Sequence, residues 1–551
     1  MPTVVYSKDL RVIVEVPVLV VGGGPVGLSV AIGLQARGIR VLLIERKQTT
    51  TQHPKMDITN GRSMEHFRRI GIAERIRDIA VSREHSMDVV WVSRLSEWEL
   101  ARFRYPNYYD ALASIQAKND GSQPLEPNVR LSQVVLEPEL TRVLQHSPLA
   151  EVRFGWALET CRQNGAGVTA RIRECHTGQE QEVQCQLLAG CDGGGSRVRE
   201  ELGISCDGAH DIARIYMVHF RSESRELLQR FGPAWHYQSP VGGTLIAQDD
   251  RSVWTLHKPL RRSVDPGSVE PLRLVHESLG SVFPLEVLQA NLWRPHLVVA
   301  NGCGRGRIWM AGDAVHQYIP TGGYGMNTGM SDAVDLAWKF AAVLHGWGGP
   351  QLLPSIEAER RPVAVENCEA ARRNNAVRNE IASSYDPVIH ENSSRGADTR
   401  QAYGRRILEL GNAENESLGI ELGYRYRDSP IICQESEEPE WRLLDYIPST
   451  WPGVRAPHVF LQDGTAIFDL LGSGFTLLRF AEGDGHALLE AAAARAVPLK
   501  LVDIRDPNAA QVYERRLVLV RPDQHVAWRG DTVPRNAMDI IDRVRGQEIR
   551  I

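Results

Sequence analysis

Gly22-Gly23-Gly24-Pro25-Val26-Gly27 is the stretch on which the fold turns. Uncharged apolar runs lie on either side of it, so the glycines separate a short buried strand at 17–21 from a helix reaching about residue 37. In that setting Gly22 permits a tight turn and Gly24 lets a pyrophosphate approach the backbone beside Val26. Gly27 lets the helix lie close on the strand, with the helix N-terminus facing the phosphates. Gly38 ends the helix and 41–44 supplies a second strand, completing a βαβ unit of a doubly wound sheet. Glu45, at the end of that strand, is placed to accept bonds from ribose hydroxyls, and Arg46 follows it. The fingerprint by itself does not separate FAD from NAD.

Two more glycine-centred segments follow. Cys191-Asp192-Gly193-Gly194-Gly195-Ser196-Arg197-Val198-Arg199 ends a run of short alternating strands at 152–188. Ala311-Gly312-Asp313-Ala314-Val315-His316 follows a buried strand at 307–310 and leads to a long amphipathic helix at about 326–345. The three together suggest a flavin held by one domain whose chain is interrupted by a substrate-binding insertion, where strands rich in aromatic residues run from 215 to 256. Helical apolar spacing at Val134, Val135, Leu140 and Leu144 marks a helix within 129–144. Residues 379–400 are polar and read as a surface connection. From about 456 the pattern changes to strands at 459–461, 475–480, 499–504 and 517–520 with an alanine-rich helix at 486–496, a compact α/β terminal domain.

Composition narrows the setting. At 551 residues the chain holds two or three domains, and 42% hydrophobic with 24% charged residues is ordinary for a globular protein. A formal net charge of -5 gives no reason to expect nucleic acid or an anionic membrane as partner. Eight cysteines without a CxxC pair argue for a reducing, cytoplasmic setting and against a disulfide framework or a metal site. Lys8, Asp9, Arg11 and Glu15 do not fit a signal peptide, and the uncharged stretch 16–34 is punctuated by Pro17 and glycines, which excludes a membrane span.

The order of the three segments, with Pro320, Gly325 and Asn327 after the last, resembles the single-component FAD-dependent aromatic hydroxylases of para-hydroxybenzoate hydroxylase-like fold. The resemblance covers about 16–365. Ala456-Pro457-His458, Leu470-Leu471-Gly472-Ser473-Gly474-Phe475 and Arg521-Pro522-Asp523-Gln524-His525-Val526-Ala527-Trp528-Arg529 extend it to the subgroup of phenol, dichlorophenol and aromatic polyketide hydroxylases, which carries a thioredoxin-like C-terminal domain. No cysteine follows Cys433, so the tail has a structural rather than a redox part.

The resemblance implies an α/β fold: a Rossmann-like FAD-binding domain (1–200 and 301–380), an inserted mixed-sheet substrate domain (201–300, with strands near 85–130), a connection at 381–425 and the terminal domain at 426–551. It implies a monooxygenase that takes electrons from NADH or NADPH and hydroxylates a phenolic or polyketide-type ring with O₂ through a flavin C4a-hydroperoxide. A second dinucleotide fingerprint is absent, so the nicotinamide would bind transiently over the flavin domain. Baeyer–Villiger oxidation or epoxidation on the same scaffold is the alternative, and a non-catalytic flavin-binding protein the second. A homo-oligomer is implied by family habit.

By the same resemblance Asp192 and Gly193 serve the flavin and the passage of the nicotinamide, with Ser196, Arg197 and Arg199 beside a phosphate path. Gly312 and Asp313 hold the ribityl chain, and Pro320, Gly325, Met326 and Asn327 wrap the isoalloxazine under a positive helix end. Gln133 contacts the flavin or its phosphates. Lys55 stands where many relatives carry arginine, which keeps the charge and loses bidentate geometry. Asp57, in Met56-Asp57-Ile58-Thr59-Asn60-Gly61-Arg62, matches an aspartate that helps deprotonate a phenol, and its competing reading is a loop carboxylate paired with Arg62. Trp235 and Tyr237 are candidate substrate contacts on the inserted sheet.

Overall fold

A computed structural model describes residues 3–6 and 12–548, with side chains from residue 13 on; Lys8, Asp9 and Arg11 lie outside the described residues. Five parallel strands form the centre of a nine-stranded sheet, in the order Ile308–Met310, Glu180–Gly190, Val12–Val21, Val41–Glu45 and Ala150–Phe154. Val18, Leu19 and Val20 are all fully buried, in one core with the Pro25–Gln35 helix and with Leu158, Ala170 and Ile172 of neighbouring strands, which is why this strand reads as continuous apolar sequence. The Pro25–Gln35 helix is buried nearly all round, lying between the sheet and the Tyr324–Leu344 helix. Gly33 makes that contact close: a side-chain carbon there would sit 2.7 Å from the Ala337 Cβ.

The inserted sheet has seven strands, in the order Glu286–Trp293, Ile215–Arg221, Val253–Pro259, Gly243–Ala247, His236–Ser239, Val89–Val92 and Glu99–Phe103. It is mixed, because His236–Ser239 and Val89–Val92 run parallel while its other pairs are antiparallel. One face builds an apolar core from Val90, Val218, Phe220, Tyr237, Leu245 and Trp254. The other face looks toward the flavin-binding sheet.

The C-terminal sheet runs Leu499–Ile504, Phe475–Phe480, Leu517–Val520, Val526–Gly530, with only the first pair parallel, and helices at His486–Ala494, Pro507–Tyr513 and Ala537–Val544. The expected strand at 459–461 does not form; Phe460 makes a single bridge to Ala466 instead. Cys433 is unpaired, and burial pushes its thiol up to about 11.

Residues 379–400 are also not the open connection their polarity suggested. They include the end of the Ser355–Ser383 helix and the start of a Ser394–Leu410 helix. Ile381, Tyr403 and Ile407 cluster with Trp91 and Ala101 of the inserted sheet, so this stretch covers the sheet. Its polar groups are engaged locally, as where Arg400 donates to the Ile389 (2.9 Å) and Glu391 (2.8 Å) carbonyls.

Candidate active site

Sterics bring the three glycine segments together. Gly22 has φ +110°, and a side-chain carbon on it would lie 2.2 Å from the Cys191 carbonyl oxygen, so only glycine lets the first turn meet the second. Gly312 has φ +62° and rests on Val26, whose methyl would lie 2.9 Å from an added carbon. Val26 thus joins the first turn to the third. Gly24, by contrast, has nothing within 4 Å of such a carbon. It leads into the Pro25–Gln35 helix without a side-chain cap, leaving a bare, positive helix end beside open space.

The polar groups around this space fall into two sets. Glu45 is fixed by the amides of Gly23 (2.7 Å) and Lys47 (2.9 Å) at the strand end where a ribose would lie. Arg46 and Lys55 are exposed and have no hydrogen-bond or ion-pair partner among the described residues. Asp313 is crowded by the surrounding turns but its side chain is exposed to open space, and it likewise has no such partner among the described residues. Burial raises its pKa, while His316 and Lys55 pull the other way. A carboxylate kept in a recess without a donor is suited to the hydroxyls of a ribityl chain.

The turn that carries Asp313 is anchored by a residue the sequence reading passed over. Asp332, on the Tyr324–Leu344 helix, accepts from the Gly312 amide (3.0 Å), His316 Nε2 (2.7 Å) and Arg360 Nε (2.7 Å). Burial alone would raise the Asp332 pKa, but Arg360 and His316 hold it far below the usual carboxylate range. In the sequence it reads as one more charge on an amphipathic helix.

Asp192 caps the Arg197–Glu201 helix, accepting from Ser196 Oγ (2.6 Å) and the amides of Arg197 (2.7 Å) and Val198 (3.1 Å). Gly193, at φ +82°, borders open space. Arg197 and Arg199 are both engaged with protein groups. Arg199 donates to the Ala314 (2.9 Å) and Gly194 (2.7 Å) carbonyls, tying the second turn to the third, and Arg197 pairs with Glu200 and Glu201. Gln133 is turned inward onto Glu137 (2.6 Å), which also accepts from the Thr51 amide (2.6 Å).

The isoalloxazine loop has a bare helix head. Gly323, at φ +64°, starts the Tyr324–Leu344 helix with no side-chain cap, so the first-turn amides of Gly325 and Met326 stand free of one. Pro320 is exposed at the loop's start. Asn327 is fully engaged: its Oδ1 accepts from the Asn60 amide (3.0 Å) and Ser63 Oγ (2.7 Å), and its Nδ2 donates to the Gly323 (2.8 Å) and Ile58 (3.2 Å) carbonyls.

That last bond sets Asp57 one residue from the flavin loop. The Asp57 side chain is 16% exposed and accepts from Trp235 Nε1 at 2.5 Å. His236 Nε2 stands 3.8 Å away, a charge contact too long for a hydrogen bond. Burial would raise the Asp57 pKa, but His236, Arg130 and Trp235 together lower it. Arg62 does not pair with Asp57; it bonds Glu65 instead.

Trp235 belongs to the cleft, whereas Tyr237 does not. Tyr237 points to the sheet's other face, within the apolar core, and its hydroxyl bonds the Gly232 carbonyl. The alternation of the strand explains the correction: the odd-numbered Tyr237 and Leu245 go outward, and His236 and Gln238 go inward. The inner face also carries His219 and His257, and burial pushes His257 down to about 4. Both ring nitrogens of His236, Nδ1 of His257 and Oδ1 of Asn291 are buried without a hydrogen-bond partner among the described residues. A cavity of about 220 Å³ opens beside Trp235, lined also by Tyr105, Tyr108, Arg130, Asn415 and Leu418. His219 and His257, each on the inward-facing alternation of its strand, are the signal that could have found this face.

Comparison with known proteins agrees with this geometry. The FAD binding domain family matches residues 15–371, and the aromatic-ring hydroxylase C-terminal family matches 449–547. The chain belongs to the FAD-dependent aromatic-ring monooxygenases. FAD-dependent monooxygenase apdD of Emericella nidulans (strain FGSC A4 / ATCC 38163 / CBS 112.46 / NRRL 194 / M139) is 38% identical over 96% of this chain and 89% of its own length. The rebeccamycin biosynthetic enzyme RebC with reduced flavin superposes with a TM-score of 0.87 at 34% identity, covering 97% of this chain and 100% of that one. The flavin-dependent monooxygenase PieE, in complex with FAD and substrate, gives 0.88 at 30% identity, covering 97% and 99%. Among the described residues of this monooxygenase no helix is long and apolar enough to cross a membrane. Its open recess at Gly24 and the unpartnered Asp313 fit FAD, with Glu45, Arg46 and Lys55 as further polar groups around it.

Proposed function

We propose that this monooxygenase hydroxylates a phenolic or polyketide-type aromatic ring, with NADH or NADPH as electron donor and O₂ as oxidant. The observation that carries the proposal is Asp57. It is a partly exposed carboxylate one residue from the Asn327 contact, under a sheet face where both ring nitrogens of His236 and Nδ1 of His257 lack hydrogen-bond partners among the described residues. When bound, the flavin supplies the two-electron reduction and the activation of oxygen. The chain supplies placement, solvent exclusion and proton handling.

In this reading the ring lies between the inner sheet face and the flavin loop, with its hydroxyl toward Asp57. Trp235 fixes one carboxylate oxygen and leaves the other to take up the phenolic proton. The lowered pKa of Asp57 keeps it ionised through neutral pH, ready as an acceptor but a weak base. The neutral His257 is a second acceptor nearby. The bare helix head at Gly325 and Met326 faces negative charge on a reduced flavin.

Asp57→Asn tests the assignment. Product formation should slow about ten-fold or more at pH values where the free phenol is protonated, and recover as the substrate ionises by itself. A pH–rate profile identical to wild type would return Asp57 to the part of a structural carboxylate. NMR of the product distinguishes ring hydroxylation from ester or epoxide formation, which share the same added mass.

A further inference from the structure

The C-terminal domain touches the flavin-binding domain through groups that have no part so far. At the end of the Leu517–Val520 strand the chain turns through Arg521-Pro522-Asp523-Gln524-His525, and Gln524 has φ +69°. Glycine adopts that left-handed conformation freely, whereas a residue with a side chain is strained by it. The glutamine side chain must therefore supply something a glycine would not.

It supplies an acceptor. Gln524 Oε1 receives Arg62 Nη1, and the Asp523 carbonyl receives Arg62 Nη2 at 2.7 Å. Arg62 and Gln524 are each 1% exposed, so this contact is sealed from water. Arg62 lies in the first turn of the Gly61–Arg69 helix, whose N-cap is Asn60. Asn60 and Ser63 of that turn are the two groups that hold Asn327 Oδ1 at the head of the Tyr324–Leu344 helix. The path from Gln524 to the isoalloxazine loop thus runs through Arg62 and the Asn60–Ser63 turn, all of it buried.

Two neighbouring contacts brace the same helices. Glu65 accepts from Arg455 Nε at 3.0 Å, and Arg521 Nη1 meets Glu359 at 2.5 Å. The carboxylates of Asp335, Glu359 and Asp523 converge there, but Lys339 and Arg521 already supply the cations among them. That cluster is an ion-pair brace rather than a metal site.

We propose that Gln524 is a positioning residue for the flavin: it accepts a strained backbone to hold Arg62, and through it the turn that fixes Asn327. The C-terminal domain is on this reading a working part of the cofactor site and not only an assembly module.

The test uses the full chain with Gln524→Gly and Gln524→Asn. Both relax the left-handed backbone, and neither side chain reaches Arg62, whose Nη1 keeps Glu65 at 2.9 Å. The apoprotein is expected to melt at the wild-type temperature or above. Its Kd for FAD should rise about five- to ten-fold, and the visible circular dichroism of the bound flavin should change in both variants. Wild-type FAD affinity with an unaltered flavin spectrum would overturn the proposal. So would an affinity loss that only tracks a lower apoprotein melting temperature, since that is loss of fold. Neither readout depends on the substrate or on the hydroxylation reading.

Discussion

Beneath the flavin turns, Asp332 is met by the Gly312 amide, His316 and Arg360, and the carbonyls of Gly194 and Ala314 share one guanidinium. Across the cleft, the inner face of the inserted sheet buries both nitrogens of His236, Nδ1 of His257 and Oδ1 of Asn291 without hydrogen-bond partners among the described residues. Buried polar atoms are costly when unmet, so the two walls differ in kind. The flavin wall is largely satisfied by the protein itself, His316 Nδ1 being a buried exception among the described residues, and Asp313 is an open acceptor toward the cofactor. The sheet wall is left to be completed by what binds there.

Acid should strain the protein most. Burial holds His257 and His525 at about 4 and His458 at about 3, against 6.5 for the free group. Between those values the unfolded chain binds more protons than the folded one, so stability rises with pH up to about 6.5 and is lost as pH falls toward 4. A loss on the order of 5 to 10 kcal/mol between pH 7 and pH 4 is expected in urea titrations. A flat profile over that range would mean that these rings are not kept neutral.

Asp332→Ala breaks the finished wall. It leaves Arg360 without its carboxylate and frees the Gly312 turn, for a loss of about 3 to 5 kcal/mol and of bound FAD together. Asp313→Ala should separate those two effects. With no protein partner to lose, the apoprotein should melt as wild type, while its Kd for FAD rises about ten-fold or more. Retention of the full flavin complement through gel filtration would remove Asp313 from the site. His236→Leu probes the other wall and should have the smallest effect on stability. The apoprotein should be unchanged, or steadier by about 1 kcal/mol, while the binding of an aromatic ligand weakens. A large loss of stability in the absence of ligand would show that the charge contact of His236 with Asp57 supports the fold itself.

Glycine made the flavin wall legible in the sequence. Gly22, Gly27 and Gly312 stand where another side chain would collide with Cys191, Gly22 or Val26, so a steric demand is written into the residue type. Asp332 was not legible because it acts across the fold from its turn, and nothing local marks a helical aspartate as an anchor. The sheet wall was half legible. Aromatic-rich strands at 215–256 marked the substrate-binding insertion, but with Trp235 just outside the His236–Ser239 strand, position alone did not tell its face from that of Tyr237. The stretch 379–400 misled through its polarity, because polar groups such as Arg400 are engaged with the chain's own carbonyls while Ile381 packs on the sheet. The Val526–Gly530 strand went unread for the same reason, its polar flanks Arg521, Asp523 and Arg529 being buried or paired.

The most direct measurement is anaerobic stopped-flow reduction of the FAD-loaded enzyme by NADH and by NADPH, with and without a panel of phenols and polyketide-type aromatics. If the sheet wall is completed by the aromatic substrate, flavin bleaching should accelerate sharply with one ligand class and with one nucleotide. Failure of either nucleotide to bleach the flavin, with every ligand in the panel, would contradict a nicotinamide-dependent aromatic hydroxylase.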